Sequence, residues 1–203
     1  AIGDLGLRKY YQGRINGKDT MLLNQNPNIQ KGSAYNQSDL IQKIVYKQNE
    51  NIKHVLNFQI SNSSNVPRYD RLTEKNGSDI LKNAEWYYGP QKRNLISYKF
   101  AVKKLKGYFQ DAFVIANYQN IEESRISRKF KSNNKDSRIE KVNVLGINAD
   151  FLHSDASGDL HLGIESYTDF VNSTAHRTNI STGALSAITT RYSDGPTRMG
   201  YHA

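Results

Sequence analysis

The chain has 203 residues, with 28 Lys and Arg against 19 Asp and Glu, a net charge of +9 and no cysteine. Mean hydropathy is -0.72, and no window holds the roughly 18 uninterrupted apolar residues of a spanning helix, so a helical membrane protein is excluded. The missing cysteine removes disulfide scaffolds, thiolate metal sites and cysteine nucleophiles. The basic residues are scattered instead of forming a stripe, so nucleic acid is not expected as a partner. Thirteen tyrosines against four prolines, without a sustained 3.6-residue apolar period, point to long strands. The start at Ala1, without a charged n-region and an apolar h-region, reads as a mature product or a piece of a longer chain.

Six runs follow in chain order, at 34–48, 53–64, 84–104, 108–130, 138–154 and 159–180. In the first, Leu40, Ile44 and Tyr46 share one face, broken by Gln42, with Lys43 and Lys47 on the other. In the second, Leu56, Phe58 and Ile60 alternate with Val55, Asn57 and Gln59, the period of a strand with one apolar face. The third sets Ile96, Tyr98, Phe100 and Val102 against Arg93, Ser97, Lys99 and Lys103. The fourth sets Ala112, Val114, Ala116 and Tyr118 against Asp111, Asn117, Gln119, Glu123 and Arg125, with Phe113 and Ile115 blurring the polar row. The fifth leaves open which face is apolar. The sixth alternates Leu160, Leu162 and Ile164 with His161, Gly163 and Glu165.

Tight turns are expected at Asn49-Glu50-Asn51, Leu105-Lys106-Gly107 and Asp155-Ala156-Ser157-Gly158, with longer polar loops at 65–83, 131–137 and 181–198. Alternating short and long connections describe an antiparallel up-and-down meander. Runs longer than the roughly 9 to 11 residues of a tilted spanning strand fit part of a transmembrane β-barrel better than a sandwich, whose strands average about 5–6 residues. The alternative is a soluble β-sandwich acting as a carbohydrate-binding or adhesion module. In the barrel reading the even row faces lipid: Leu40, Ile44, Tyr46, Leu56, Phe58, Ile60, Ile96, Tyr98, Phe100, Val102, Val114, Ala116, Leu160, Leu162 and Ile164. Lys43, Asn57, Gln59, Lys99, Asn117, Gln119 and Glu165 face the lumen. Tyr46, Phe100 and Tyr108, near the tight turns, suit an interfacial girdle at the periplasmic side.

Several stretches carry a resemblance: Asn26-Pro27-Asn28-Ile29-Gln30 with Gly32-Ser33-Ala34-Tyr35, then Ser64-Asn65-Val66-Pro67-Arg68-Tyr69-Asp70-Arg71-Leu72, then Ala84-Glu85-Trp86-Tyr87-Tyr88-Gly89-Pro90-Gln91. It continues through Ala116-Asn117-Tyr118-Gln119-Asn120-Ile121-Glu122-Glu123-Ser124-Arg125 and Asn148-Ala149-Asp150-Phe151. Near the end come Arg177-Thr178-Asn179-Ile180-Ser181-Thr182-Gly183 and Arg191-Tyr192-Ser193-Asp194-Gly195. Together they resemble an early part of the barrel of TonB-dependent outer-membrane receptors, particularly those of Bacteroidetes type. The resemblance implies a 22-stranded barrel with an N-terminal plug, of which this chain is about six strands without the plug. It also implies energy-dependent uptake of a scarce ligand, a siderophore or other iron chelate, haem or cobalamin. The partners implied are outer-membrane lipid and, through the plug, the TonB–ExbB–ExbD system.

Catalysis is not expected. Glu122 and Glu123 are adjacent in a strand and point to opposite faces, and no phosphate loop or nucleophile elbow occurs. No cofactor or metal is expected either: His54, His153, His161, His176 and His202 show no chelating spacing, and only His176 lies toward the loop end. Trp86, Tyr87 and Tyr88 suit either an interfacial girdle or a ligand-stacking outer mouth. The remaining ligand candidates lie in the long loops. Arg68, Tyr69 and Arg71 come from the first, Lys129, Lys131 and Lys135 from the second, and Arg191 and Tyr192 from the third. Basic loops with aromatics attract an anionic chelate by steering and hold it by stacking and charge-assisted hydrogen bonds, although charged loops are also what any solvated rim displays.

Overall fold

A computed structural model describes residues 8–192 and the backbone of 197–202. Two-thirds of the chain is strand and the sheets are antiparallel. A hairpin of β1 (Tyr10–Ile15) and β2 (Lys18–Leu23) comes first. The main sheet then runs through β3 (Gln37–Lys47), β4 (Ile52–Ser63), β7 (Lys92–Val102), β8 (Asp111–Lys129), β9 (Asn134–Asp155) and β10 (Gly158–Asn179), each paired with the next. Between β4 and β7 lie β5 (Val66–Pro67), the five-residue helix α1 (Tyr69–Thr73) and β6 (Asn83–Tyr88). After β10, both β11 (Leu185–Ala187) and β12 (Thr197–His202) pair back onto it.

The run expected at 84–104 is two strands. The chain turns aside at Gly89-Pro90, where Gly89 has φ 98 and a Cβ would lie 2.8 Å from the Ser64 carbonyl oxygen. Ser124 pins this break, its Oγ donating to the Gly89 carbonyl at 2.6 Å while Gly89 N–H donates to the Ser124 carbonyl at 2.9 Å. The long strand β8 therefore has two successive neighbours on one edge, β7 against Ala112–Glu122 and β6 against Arg125–Lys129.

Other expectations need correcting. The Leu105-Lys106-Gly107 turn belongs to an eight-residue connection, 103–110, and the loop expected at 131–137 is a four-residue turn at 130–133 because β9 begins at Asn134. Connection length therefore does not separate the two ends of the sheet; strand length does. The end bearing the connections at 48–51, 103–110 and 156–157 is here called the lower end. β8, β9 and β10 project well beyond β3 and β4 at the upper end. The long loops hold β5, α1 and β11, and residues 193–196 of the 181–198 loop lie outside the described residues. The β1–β2 hairpin had no strand expectation at all.

Side-chain alternation plus register fixes which residues share a face. Through β3, β4, β7, β8, β9 and β10, Ile44 aligns with Leu56, Tyr98, Ala116 and Ile147, and Tyr46 with His54, Phe100, Val114, Ala149 and Ile164. All fifteen residues of the expected apolar row lie on this one face. β9, whose apolar face the sequence left open, contributes its odd row: Leu145, Ile147, Ala149 and Phe151. The result is a continuous apolar belt, left exposed: Leu40 is 59% accessible, Ile147 53% and Ile164 63%. Among the described residues no second sheet covers it.

The belt does not follow the hydrogen-bonded rows. Its centre on β3 lies near Lys43, which aligns across the ladder with Asn57, Ser97, Asn117, Gly146 and finally Tyr167. On β10 the belt centres on Leu162 instead, about five residues lower after five strand-to-strand steps. One residue of rise, about 3.3 Å, per interstrand spacing of about 4.8 Å corresponds to strands inclined about 35° to the belt's own normal.

Candidate functional site

The reverse face carries the polar row, Lys43, Asn57, Gln59, Lys99, Asn117, Gln119 and Glu165, in the same register. At its upper end β6 lays Trp86 opposite Ser127 and Tyr88 opposite Arg125. Both rings therefore stand on the face opposite the belt, which removes the girdle role for them; Tyr87, opposite Ile126, is on the belt face. Aromatic rings also cluster toward the lower end, where a girdle of Tyr46, Phe100 and Tyr108 is expected. There Tyr46, His54, Tyr98 and Phe100 form one stack, with His54 Nδ1 2.7 Å from the Tyr98 hydroxyl. Tyr108 and His153 form another, with ring centroids 4.0 Å apart.

The upper mouth is built on Arg68, at the start of α1. Its guanidinium lies 5.2 Å from the Trp86 ring centre and 5.5 Å from that of Tyr88, and it donates to the Tyr88 hydroxyl at 3.0 Å. Trp86 and Tyr88 meet edge to face at 5.1 Å. Asp70 accepts two bonds from Arg68, at 2.8 and 2.7 Å. Those hydrogen bonds hold the Asp70 carboxyl down to about 2 and raise the Arg68 guanidinium. The fork is thus locked as an ion pair at any ordinary pH, and its plane extends the aromatic wall. Arg71 points away, into an ion pair with Glu74 at 2.6 Å.

Beside this wall opens a cavity of about 440 Å³ lined by Trp86, Ser127, Lys129, Asn134, Asp136 and Arg177, among others. Arg177 donates to Asp136 at 2.6 and 2.9 Å, which lowers the Asp136 carboxyl and raises Arg177. Arg125 and Arg138 pair across β8 and β9 one row below Ser127 and Asp136. A ligand here meets the Trp86 wall, the hydrogen-bonded Arg177–Asp136 pair and Lys129, with Arg125 and Arg138 one row below on the same face.

The expected loop residues divide. Arg68, Trp86, Tyr88 and Lys129 come together at this mouth. Lys135 does not: it aligns with Arg128 on the belt face and pairs with Glu85 at 2.7 Å. Lys131 sits in the 130–133 turn with φ 62, its backbone N–H bound to Asp19. His176, opposite Ser137 and Ala187, is on the belt face too. Tyr69 packs beneath Arg8, with 5.5 Å between the guanidinium carbon and ring centre. Arg191 lies 5.9 Å over Tyr192, away from the mouth's lining. Arg177, Asp136, Arg125 and Arg138 were not among the ligand candidates. Their signal was the strand alternation itself, which places 125, 136, 138 and 177 on the reverse face once β9 is known to start at 134.

On the belt side of the same upper region the β1–β2 hairpin is anchored by a buried charge network. Arg128, 5% accessible, donates to Asp19 at 2.7 and 2.9 Å and to Glu85 at 2.7 Å; Glu85 also takes Lys135. Burial pushes the Asp19 and Glu85 carboxyls up, but their hydrogen bonds and the facing cations outweigh it and both lie below their ordinary values. Gln12 completes the anchor, its amide donating to the Leu72 and Asn83 carbonyls at 2.5 and 2.8 Å.

No family model, curated protein or solved structure matches the chain.

Proposed function

We propose that the chain is a wall segment of a TonB-dependent receptor in the outer membrane of a Gram-negative bacterium. Its role is energy-dependent uptake of a scarce ligand of the iron-chelate, haem or cobalamin class. The belt carries the membrane part of this reading. An inclination of about 35° falls at the edge of the 35–45° tilt of outer-membrane barrel strands, and it emerges from where apolar residues stop on six separate strands. On β4 the belt-face row from Ile52 to Ile60 runs about 27 Å along the strand, or about 22 Å in height at that tilt, against an apolar band of about 25 Å. The sandwich alternative needs a second sheet on this row, and the described residues supply none. The receptor part rests on the resemblance of the motifs. The mouth at Trp86, Arg68 and Lys129 then faces outside, while energy arrives from the TonB–ExbB–ExbD system through a plug.

Cysteine scanning tests it, because the chain has no cysteine of its own. Nitroxide labels at 96, 97, 98 and 99, in chain reconstituted in lipid, are expected to alternate: oxygen relaxes 96 and 98, and a water-soluble nickel chelate relaxes 97 and 99. A folded, monodisperse chain in plain buffer with all four labels open to the nickel chelate overturns the proposal.

A further inference from the structure

The basic residues are sorted along the sheet by type. Every arginine among the described residues lies in the upper half or in the hairpin docked there. At the lower end the cations on the reverse face are all lysines: Lys43 and Lys47 from β3, Lys53 from β4, Lys99 from β7, joined by Lys103 just beyond it. Lys47 and Lys53 are direct cross-strand partners, an arrangement of like charges that weakens a sheet. Among the described residues none of the five makes an ion pair. Two adjoining cavities, of about 430 and 640 Å³, share Lys53, Ala101 and Lys103 as lining; Glu50 and Asp111 are the only acids lining either. The smaller has an apolar floor that includes Val55, Phe113 and Leu152, and the Lys99 ammonium sits 3.4 Å above the centre of the Phe113 ring.

We propose that this lysine trough binds an organic phosphate, with Lys53 and Lys99 holding the phosphate oxygens and the apolar surface of Val55 and Leu152 receiving the attached organic group. Among the described residues these like charges lack an acidic partner, an arrangement that weakens a sheet, and a multiply charged anion relieves that cost on binding. Lysine rather than arginine selects the anion: an ammonium is a compact point charge that suits a tetrahedral phosphate, whereas the planar carboxylate is matched best by the guanidinium fork. The volume is that of a small-molecule site, within about 300–1,000 Å³, which favours a small anion over an acidic polypeptide laid across the face. The site is separate from the upper mouth, and its argument uses register and cavity alone, so it stands whether or not the belt is set in lipid.

The test is titration of the folded full chain with phenyl phosphate, by calorimetry at low ionic strength, beside inorganic phosphate and a hexaglutamate peptide. Saturable binding of phenyl phosphate, tighter than that of inorganic phosphate and weakening as salt rises, is expected. The double variant Lys53→Gln/Lys99→Gln should weaken it by about tenfold or more, since two charge-assisted contacts are lost, and Lys75→Gln, in the loop after α1, should leave it unchanged. The wild-type chain with ¹³C-methylated lysines gives a readout free of folding effects, because phenyl phosphate should shift the signals of Lys53 and Lys99 and not that of Lys129. Absence of saturable binding, shifts confined to upper lysines, or saturation by hexaglutamate but not by phenyl phosphate would each overturn the assignment.

Discussion

Ala116→Lys is the sharpest probe of the belt. Ala116 lies near mid-belt on β8, exposed, between Tyr98 and Ile147 across the ladder. Because the residue is small and uncovered, the substitution removes almost no packing, and its whole effect is the transfer of an ammonium to whatever the belt touches. If that is lipid, the cost is about 2–4 kcal/mol at the midplane, a shift of roughly 30- to 1,000-fold in the folding equilibrium. If it is water, a surface substitution of this kind stays within about 0.5 kcal/mol. Ser97→Lys, on the neighbouring strand and the reverse face, is the matched control and should be nearly neutral. Urea unfolding in lipid vesicles, followed by fluorescence of the single tryptophan, Trp86, reads both. Equal midpoints for the two variants would refute the belt reasoning.

Removing the hairpin's anchor with Asp19→Ala leaves Arg128 buried beside Glu85 alone; breaking a buried pair costs about 3–5 kcal/mol, so amide exchange in β1 and β2 should accelerate sharply while the belt strands stay protected. The same contact has a pH dependence. Asp19 and Glu85 have depressed folded values, so their contribution is complete above the unfolded carboxylate value of about 4. It is lost as pH falls through the folded ones, and the hairpin should stay docked at pH 5 and open in stronger acid. Asp70, held down to about 2, keeps the Arg68 platform intact over a wider range. Trp86 fluorescence should therefore be flat from pH 8 to pH 4, and a titration near pH 5 would show that Asp70 does not hold Arg68. Gly89→Ala places a Cβ 2.8 Å from the Ser64 carbonyl at φ 98; left-handed strain of about 1–3 kcal/mol should appear as faster exchange in β6.

How much of this was legible in the sequence depended on what set each feature. The belt row was readable residue by residue because period two is a local property, and β3, β4, β7, β8 and β10 obey it. In β9 the odd-row apolar residues Leu145, Ile147 and Ala149 sit beside Val142, Val144 and Leu152 on the even row, so only pairing with Ala116 and Ile164 selects the face. The division of β6 from β7 was signalled by Gly89-Pro90, yet the alternation on either side of it looked continuous. The mouth was half legible. Trp86, Tyr88 and Arg68 stood out by type, but their face follows from β6 pairing with β8 and not with β7, a long-range choice. The hairpin was hidden because its anchor, Asp19 to Arg128, joins residues 109 apart in sequence.

The distribution of burial joins these pieces. A water-soluble sheet of this size hides its large apolar side chains. Here, among the described residues, the buried apolar ones are Leu72, Leu81 and Ile126, while Leu40, Ile41, Ile44, Leu145, Ile147, Leu160, Leu162 and Ile164 are exposed. The buried polar side chains, Arg8, Asn24, Ser124, Arg128, Ser137 and Ser173, all lie in the upper half with those three apolar residues. The two halves therefore answer to different surroundings. Above the belt, β8, β9 and β10 project about ten residues further, roughly 33 Å, and there the ribbon is packed as a protein in water is, with the hairpin, α1 and β6 folded against it and Arg128, Lys135 and Arg177 held in ion pairs. Below, the described residues add no packing layer to the sheet, and one side is apolar apart from Gln42 and His54 among its central residues. An isolated sheet with such a face is an aggregation hazard, and removing the upper packing would not cure it. In the membrane reading the chain needs detergent because of the belt, so deleting residues 1–33 should leave that need unchanged while exposing β6 and the upper part of β8 to proteolysis. A truncated chain that became monodisperse in plain buffer would show that the hairpin side, not the belt, carries the adhesive surface.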